Sequence, residues 1–292
     1  MKIIKGAATF IGVLVMVLVV IAMMSPAEEA KPLVASPAAA TQPKPADTTV
    51  DENVLVNKNG INITLKSLNT KGLLGPELVL LIENDSKNNI TVQARDSHVN
   101  GAMVDTIMSA DVAAGKKSTA GLKFSSSDLK RSGITTYNEF GFYLHIIDDN
   151  WNTLFDTDPI LVHTSNDSSV KQSFDDSGSV LFEEKGFKVV AKNVDEKGFL
   201  GPKLNLYIEN NSAKDVTFQV RDVSVNGYMI NTIFSSDVLS GKVAFDDITI
   251  MKSDMEKNNL TKISDMELYF HIFESKSWNT ILDTDIITIT FE

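Results

Sequence analysis

The sequence predicts an all-β chain, two tandem antiparallel β-sandwiches following an N-terminal transmembrane helix or signal peptide. Three observations carry this: a domain-length internal repeat, short alternating apolar runs between Asn-Gly and Gly-Pro turns, and an uncharged apolar stretch at residues 6–24. The stretch "RDSHVNGAMVDTIMSADV" at 95–112 returns as "RDVSVNGYMINTIFSSDV" at 221–238, an offset of 221 − 95 = 126 residues. A period this long makes each copy a whole domain and excludes a solenoid of short units.

From the amino terminus, Lys2 and Lys5 precede the apolar run "GAATFIGVLVMVLVVIAMM". As a helix it would rise roughly 28 Å, close to the roughly 30 Å of a bilayer's hydrocarbon core. The positive residues predict that the remainder is exported. Small residues Ser25 and Ala27 also provide a cleavage pattern, so residues 1–25 are read as an anchor or a cleaved signal peptide. Residues 26–50 are rich in Pro and Ala and lack the large apolar groups of a core; they read as an extended stalk.

The first repeat is placed at 51–163, a polar Ser/Asp linker at 164–179 and the second repeat at 180–292. "KGLLGPELVLLIEN" (71–84) matches "KGFLGPKLNLYIEN" (197–210), and "WNTLFDTD" (151–158) matches "WNTILDTD" (278–285) at an offset of 127, one residue having been gained. The runs after Gly-Pro read as strands. "ITVQARD" turns Ile90, Val92 and Ala94 to one face, and "VTFQVRD" does the same with Val216, Phe218 and Val220. Asn100-Gly101 and Asn226-Gly227 then predict tight hairpins, because both residue types tolerate positive φ. "FGFYLHIID" sets Phe142, Leu144 and Ile146 against Tyr143, His145 and Ile147. "SSSDLKRSGI" and "KSDMEKNNL" read as single helical turns capped by Ser. About seven strands and one helical crossover per repeat point to an immunoglobulin-type sandwich, with a β-barrel as the alternative.

Together, Gly-Leu/Phe-Leu-Gly-Pro, "IEN", "RD", "NG-x-M" and the closing Asp-Thr-Asp resemble exported telokin-like, immunoglobulin-fold domains of Gram-positive bacteria that follow a membrane segment. The resemblance covers residues 54–164 and 180–292. It implies fold and surface location, and it brings no catalytic residues.

Composition narrows the chemistry. A formal charge of −11 and the lack of any Lys/Arg cluster longer than two residues argue against nucleic acid as a partner. With no cysteine, disulfides, thiol catalysis and Cys-ligated zinc are excluded, and packing alone must hold the fold. No Ser/His/Asp order, phosphate-cradling Gly loop or His-rich ligand spacing indicates an enzyme. The candidate metal ligands are Asp156 with Asp158 and Asp283 with Asp285, since alternate strand residues share a face and two carboxylates suit Ca2+; the other use of such acids is to cap strand ends. Asp96 and Asp222 fall where alternation would bury a carboxylate, so a bulge or an Arg partner is expected there. His145 and His271 share a strand face with Tyr143 and Tyr269, while His98 has Ser224 in its place in the second repeat. Trp151 and Trp278 lie beside a predicted turn, as contacts or as plugs for the end of the sandwich.

The expectation is therefore a non-enzymatic envelope protein that binds or scaffolds an extracellular protein or cell-wall component. A calcium-dependent wall or adhesion module is the alternative, and an enzyme or enzyme inhibitor with an unrecognised site the third.

Overall fold

The computed structural model describes residues 47–166 and 171–291. The apolar segment at 6–24 and the stalk up to residue 46 lie outside them. Among the described residues no helix is long and apolar enough to cross a membrane.

The first repeat consists of β1 (Asn53–Lys58), β2 (Ile61–Asn69), β3 (Glu77–Asn84), β4 (Ile90–Val99), β5 (Ala102–Met103), β6 (Thr106–Ile107), β7 (Ser109–Val112), β8 (Lys116–Phe124), α1 (Ser126–Arg131), β9 (Glu139–Asp148), β10 (Thr153–Asp156) and β11 (Ile160–His163). The second repeats the series as β12 (Ser179–Glu184), β13 (Phe187–Asp195), β14 (Lys203–Asn210), β15 (Val216–Val225), β16 (Tyr228–Met229), β17 (Thr232–Ile233), β18 (Ser235–Val238), β19 (Lys242–Ile250), α2 (Lys252–Lys257), β20 (Asp265–Glu274), β21 (Thr280–Asp283) and β22 (Ile287–Thr290). There are thus eleven strands per repeat where sequence patterning suggested about seven. The surplus is made of two- to four-residue strands, too short for apolar periodicity to register.

In each repeat two sheets enclose a core. One has the order β1-β2-β3-β8-β6, and opposite it β10, β9 and β4 pair in sequence, with β11 on β9 and β5 and β7 on β4. The second repeat builds the same pair of sheets from β12 to β22. Ile63, Leu80, Ile82, Val92, Phe140 and Leu144 meet inside the first; Val189, Leu206, Ile208, Phe218, Phe270 and Ile272 occupy the matching places in the second. Each such side chain contributes roughly 1.5–3 kcal/mol by leaving water, which is how a cysteine-free chain holds together.

The repeated motifs have structural explanations. The Asn of "IEN" is wholly buried: Asn84 Nδ2 donates to the carbonyls of Asn88 (2.8 Å) and Val112 (2.9 Å), while its Oδ1 accepts from Ser86 N and Oγ. Asn210 does the same with Lys214, Val238 and Ser212. Asn100 (φ 50) and Gly101 (φ 93) form the expected two-residue turn, as do Asn226 (φ 49) and Gly227 (φ 78). The Asn side chain does more than tolerate the turn, since Asn100 Oδ1 accepts from the Asn138 and Glu139 amides and so fixes the entry to β9. The register of β4 on β9 slips between Arg95 and His98, where Asp96 has φ 46; Asp222 (φ 49) sits in the same bulge of β15, so the expected bulges are present.

Two local expectations need correction. Ser125 caps α1 by accepting from Asp128 N, but Met251 stands at the N-cap of α2 and has no side-chain oxygen to accept there. Ile147, set against the core-facing residues of β9 by alternation, is buried, and so is its counterpart Phe273, on which the Trp278 ring stacks.

The repeats are packed together. Gly101 O accepts from Val243 N (3.1 Å), and a parallel bridge from Ala102 to Val243 joins β5 to β19. Val190, Tyr207 and Val243 belong to the first repeat's apolar cluster, while Met103 packs on the second's. The segment read as a linker also packs: Phe174 lies 6.1 Å from the Phe245 ring, and Lys192 Nζ donates to the carbonyls of Asp175 and Ser177.

Candidate functional site

Each repeat holds a tryptophan out in solvent at the turn after β9 or β20: Trp151 is 76% exposed and Trp278 73%. Both residues have left-handed backbone, φ 63 and 62. A bulky residue there costs of order 1 kcal/mol, so the surrounding turn must impose the conformation. In the first repeat Asp148 imposes it. Its Oδ1 accepts from the amides of Asn150 (2.8 Å) and Asn152 (2.9 Å), its Oδ2 accepts from Asn152 Nδ2, and its carbonyl accepts from Trp151 N (3.0 Å). Led by the bonds from Asn152, these interactions hold the Asp148 carboxyl below its ordinary range.

The second repeat gains its extra residue in this turn and still presents the tryptophan. Glu274 replaces Asp148, accepting from Ser277 Oγ (2.6 Å), and its carbonyl accepts from Trp278 N (2.8 Å). Trp278 stacks on Phe273 at 5.3 Å and 13°, leaving its other face open. Two different turns therefore arrive at one outcome. At the opposite end of each sandwich the Gly-Leu/Phe-Leu-Gly turn exposes Leu73 and Phe199, each 90%. A Cβ on Gly75 or Gly201 would lie 1.8 or 1.9 Å from the carbonyl oxygen of Phe124 or Ile250, so the strand end admits only glycine there.

The candidate metal ligands lie at the ends of β10 and β21 and just beyond them. β10 ends at Asp156, whose Oδ1 faces His145 Nδ1 across the strand pair at 2.5 Å; Asp283 and His271 repeat this at 2.6 Å. Thr157 then pins the chain to Leu144, placing Asp158 beyond the strand, and Asp285 likewise follows the end of β21. Among the described residues no three His, Cys, Asp or Glu side chains gather as a metal site.

A cleft of about 330 Å³ lies between the repeats, lined by Asp96, Asp105, Asp128, Arg131, Asp237 and Asp246 among others. Burial, then the neighbouring Asp237 and Asp215, pushes the Asp96 carboxyl up; burial and Asp128 do so for Asp105, and burial for Asp246. Sequence reading missed this cluster because its members come from five separate elements and loops. A larger hollow of about 510 Å³ opens at the far end of the second repeat, bordered by Val194, Pro202, Met255, Lys262, Ile263 and Phe291. In the first repeat the rings of Tyr137, Phe140 and Phe124 pack in sequence, 5.7 and 4.7 Å apart, where the second has Ile263, Met266 and Ile250.

No family model matches the chain, and no curated protein matches it. Solved structures give low-scoring likenesses. The YadV chaperone is 13% identical over 74% of this chain and 92% of its own, with a TM-score of 0.24. The CsuC–CsuE chaperone–tip adhesion subunit pre-assembly complex from the archaic chaperone-usher Csu pili of Acinetobacter baumannii is 16% identical over 73% of this chain and 91% of that one, with a TM-score of 0.21. The functional reading rests on the chain's own residues.

Proposed function

We propose that the chain is a non-enzymatic, exported envelope protein whose two immunoglobulin-like sandwiches bind an extracellular protein partner. The supporting observation is the pair of tryptophans, each kept exposed and in left-handed backbone by a differently built turn. A large rigid ring with an open face is a typical anchor for protein contacts. The packed interface between the repeats holds the two rings at a fixed spacing. The sequence resemblance to exported Gram-positive immunoglobulin-fold domains and the apolar segment at residues 6–24 support a site outside the membrane. The negative charge favours a protein over an anionic wall polymer.

Co-sedimentation of the full chain with isolated cell envelopes, before and after protein stripping, tests this. Retention by intact envelopes, lost on stripping and in the Trp151→Ala/Trp278→Ala variant, is the expected result. Retention by protein-free wall polymer only in the presence of calcium would sink the reading in favour of a cation-bridged wall module.

A further inference from the structure

We propose that the free end of the second repeat, the β16 edge at Tyr228–Met229 with Lys257 in the position Arg131 holds in the first repeat, docks an exposed β-strand of a separate protein: an apolar strand with a carboxylate four residues after its first apolar contact. This rests on the protein-binding reading and says where and how such a partner attaches.

The chain contains the same contact in an occupied form. Asn100-Gly101-Ala102-Met103 in the first repeat corresponds to Asn226-Gly227-Tyr228-Met229 in the second. In the first repeat this edge is engaged by β19: Gly101 O accepts from Val243 N, Ala102 is 0% exposed, and Met103 packs on the second core. Arg131, at the end of α1, completes the grip. Its Nη1 donates to Phe245 O (3.1 Å) and lies 3.7 Å from Asp247 Oδ2. The docked strand is thus read as Val243, Phe245 and Asp247, two apolar residues and an acid.

The second repeat keeps the equipment, and among the described residues no strand occupies the β16 edge. Tyr228 is 48% and Met229 66% exposed. Lys257 ends α2 where Arg131 ends α1, and Asp254 in the first turn answers to Asp128. The 510 Å³ hollow adjoins this edge, since Lys262, which borders it, gives its carbonyl to Asn226 Nδ2. An added strand would satisfy an open edge, cover two large apolar side chains and bring its acid to a lysine.

Another molecule of this chain does not supply that strand. Its β19 is already covered by its own first repeat, and β8, the counterpart in the first repeat, has Lys117, Thr119 and Gly121 in place of Val243, Phe245 and Asp247.

The probe is a fluorescent peptide with the sequence of residues 241–250, titrated against the full chain. Saturable binding is expected, weakened at least tenfold by Met229→Lys. Lys257→Glu should weaken it several-fold and be rescued by a peptide carrying Asp247→Lys. Absence of saturable binding, or binding unchanged by Met229→Lys, overturns the proposal. Self-association of the chain that Met229→Lys abolishes would instead make a second molecule the occupant and overturn it too. Envelope retention that depends on the tryptophans reads the broader function separately: it can persist when the peptide fails, and its own failure leaves the peptide result standing.

Discussion

His98 lies directly over Gly141: a Cβ added to that glycine would sit 2.0 Å from His98 Nε2. The two are cross-strand partners on β4 and β9, and in the second repeat the same pair of positions holds Ser224 and Glu267. One repeat puts the bulk on one strand and the other on its neighbour, conserving volume across the sheet. His98 fits at the cost of leaving its buried Nδ1 without a hydrogen-bond partner.

Burial, with a smaller contribution from Lys242, lowers the His98 pKa to about 4 from 6.5. The unfolded chain therefore binds more protons between these values, so stability falls as pH drops through that window and is unaffected above it. The loss should approach about 3 kcal/mol near pH 4. Urea unfolding of wild type and His98→Leu between pH 7.5 and 4 checks this through their difference, which should narrow or reverse by that amount on acidification. A difference independent of pH would refute it.

The cleft carboxylates have the opposite sign. Asp96 and Asp246 have folded pKa values raised above 3.8, so the folded chain holds protons that the unfolded chain has released. Their ionisation penalty is absent below that value and complete above the folded pKa. Asp96→Asn is accordingly expected to raise Tm by a few degrees at pH 7.5 and by almost nothing near pH 3.5. Equal shifts at both pH values would show that charge is not the cause.

Trp151 and Trp278 should separate contact from stability. Trp151→Asn removes an exposed ring from left-handed backbone that Asn tolerates, so stability is expected to hold or rise by about 1 kcal/mol. Trp278→Asn also loses the stack on Phe273 and should come out roughly 1 kcal/mol lower than the Trp151 change. Denaturant midpoints of the two variants provide the comparison. Both should weaken envelope retention.

Much of the fold could be read in the sequence because its determinants are local. Asn100-Gly101 is a turn in two residues, and Ile90 and Val92 alternate within one strand. The exposure of Trp151 also follows from its turn. The cleft could not be read that way: Asp105 and Asp246 are 141 residues apart (246 − 105) and meet only through the β5–β19 bridge. The Asp156/Asp158 pairing assumed strand alternation through residue 158, whereas β10 ends at Asp156, two residues before the second carboxylate. Likewise the repeat does not reveal its own interface, since Val243, Phe245 and Asp247 are among the positions at which the repeats differ.

The buried asparagines give a last prediction. Asn84 and Asn210 each spend both amide protons on carbonyls and their oxygen on a serine, at the point where β3 or β14 turns into the next strand. Leucine in either place would fit the apolar surroundings but take the amide donor from the buried carbonyl of Val112 or Val238, while the exposed carbonyl of Asn88 or Lys214 keeps its Ser86 or Ser212 hydroxyl. An orphaned buried group costs roughly 1–3 kcal/mol, so Asn84→Leu should destabilise by about 2 kcal/mol. Asn84→Asp keeps the acceptor, loses both donors and buries a charge, and should be worse at pH 7 than near pH 4, where the acid is protonated and can donate once. Thermal unfolding of the three proteins at the two pH values decides it. If Asn84→Leu is as stable as wild type, the motif is not held for these bonds, and the shared "IEN" would need another cause.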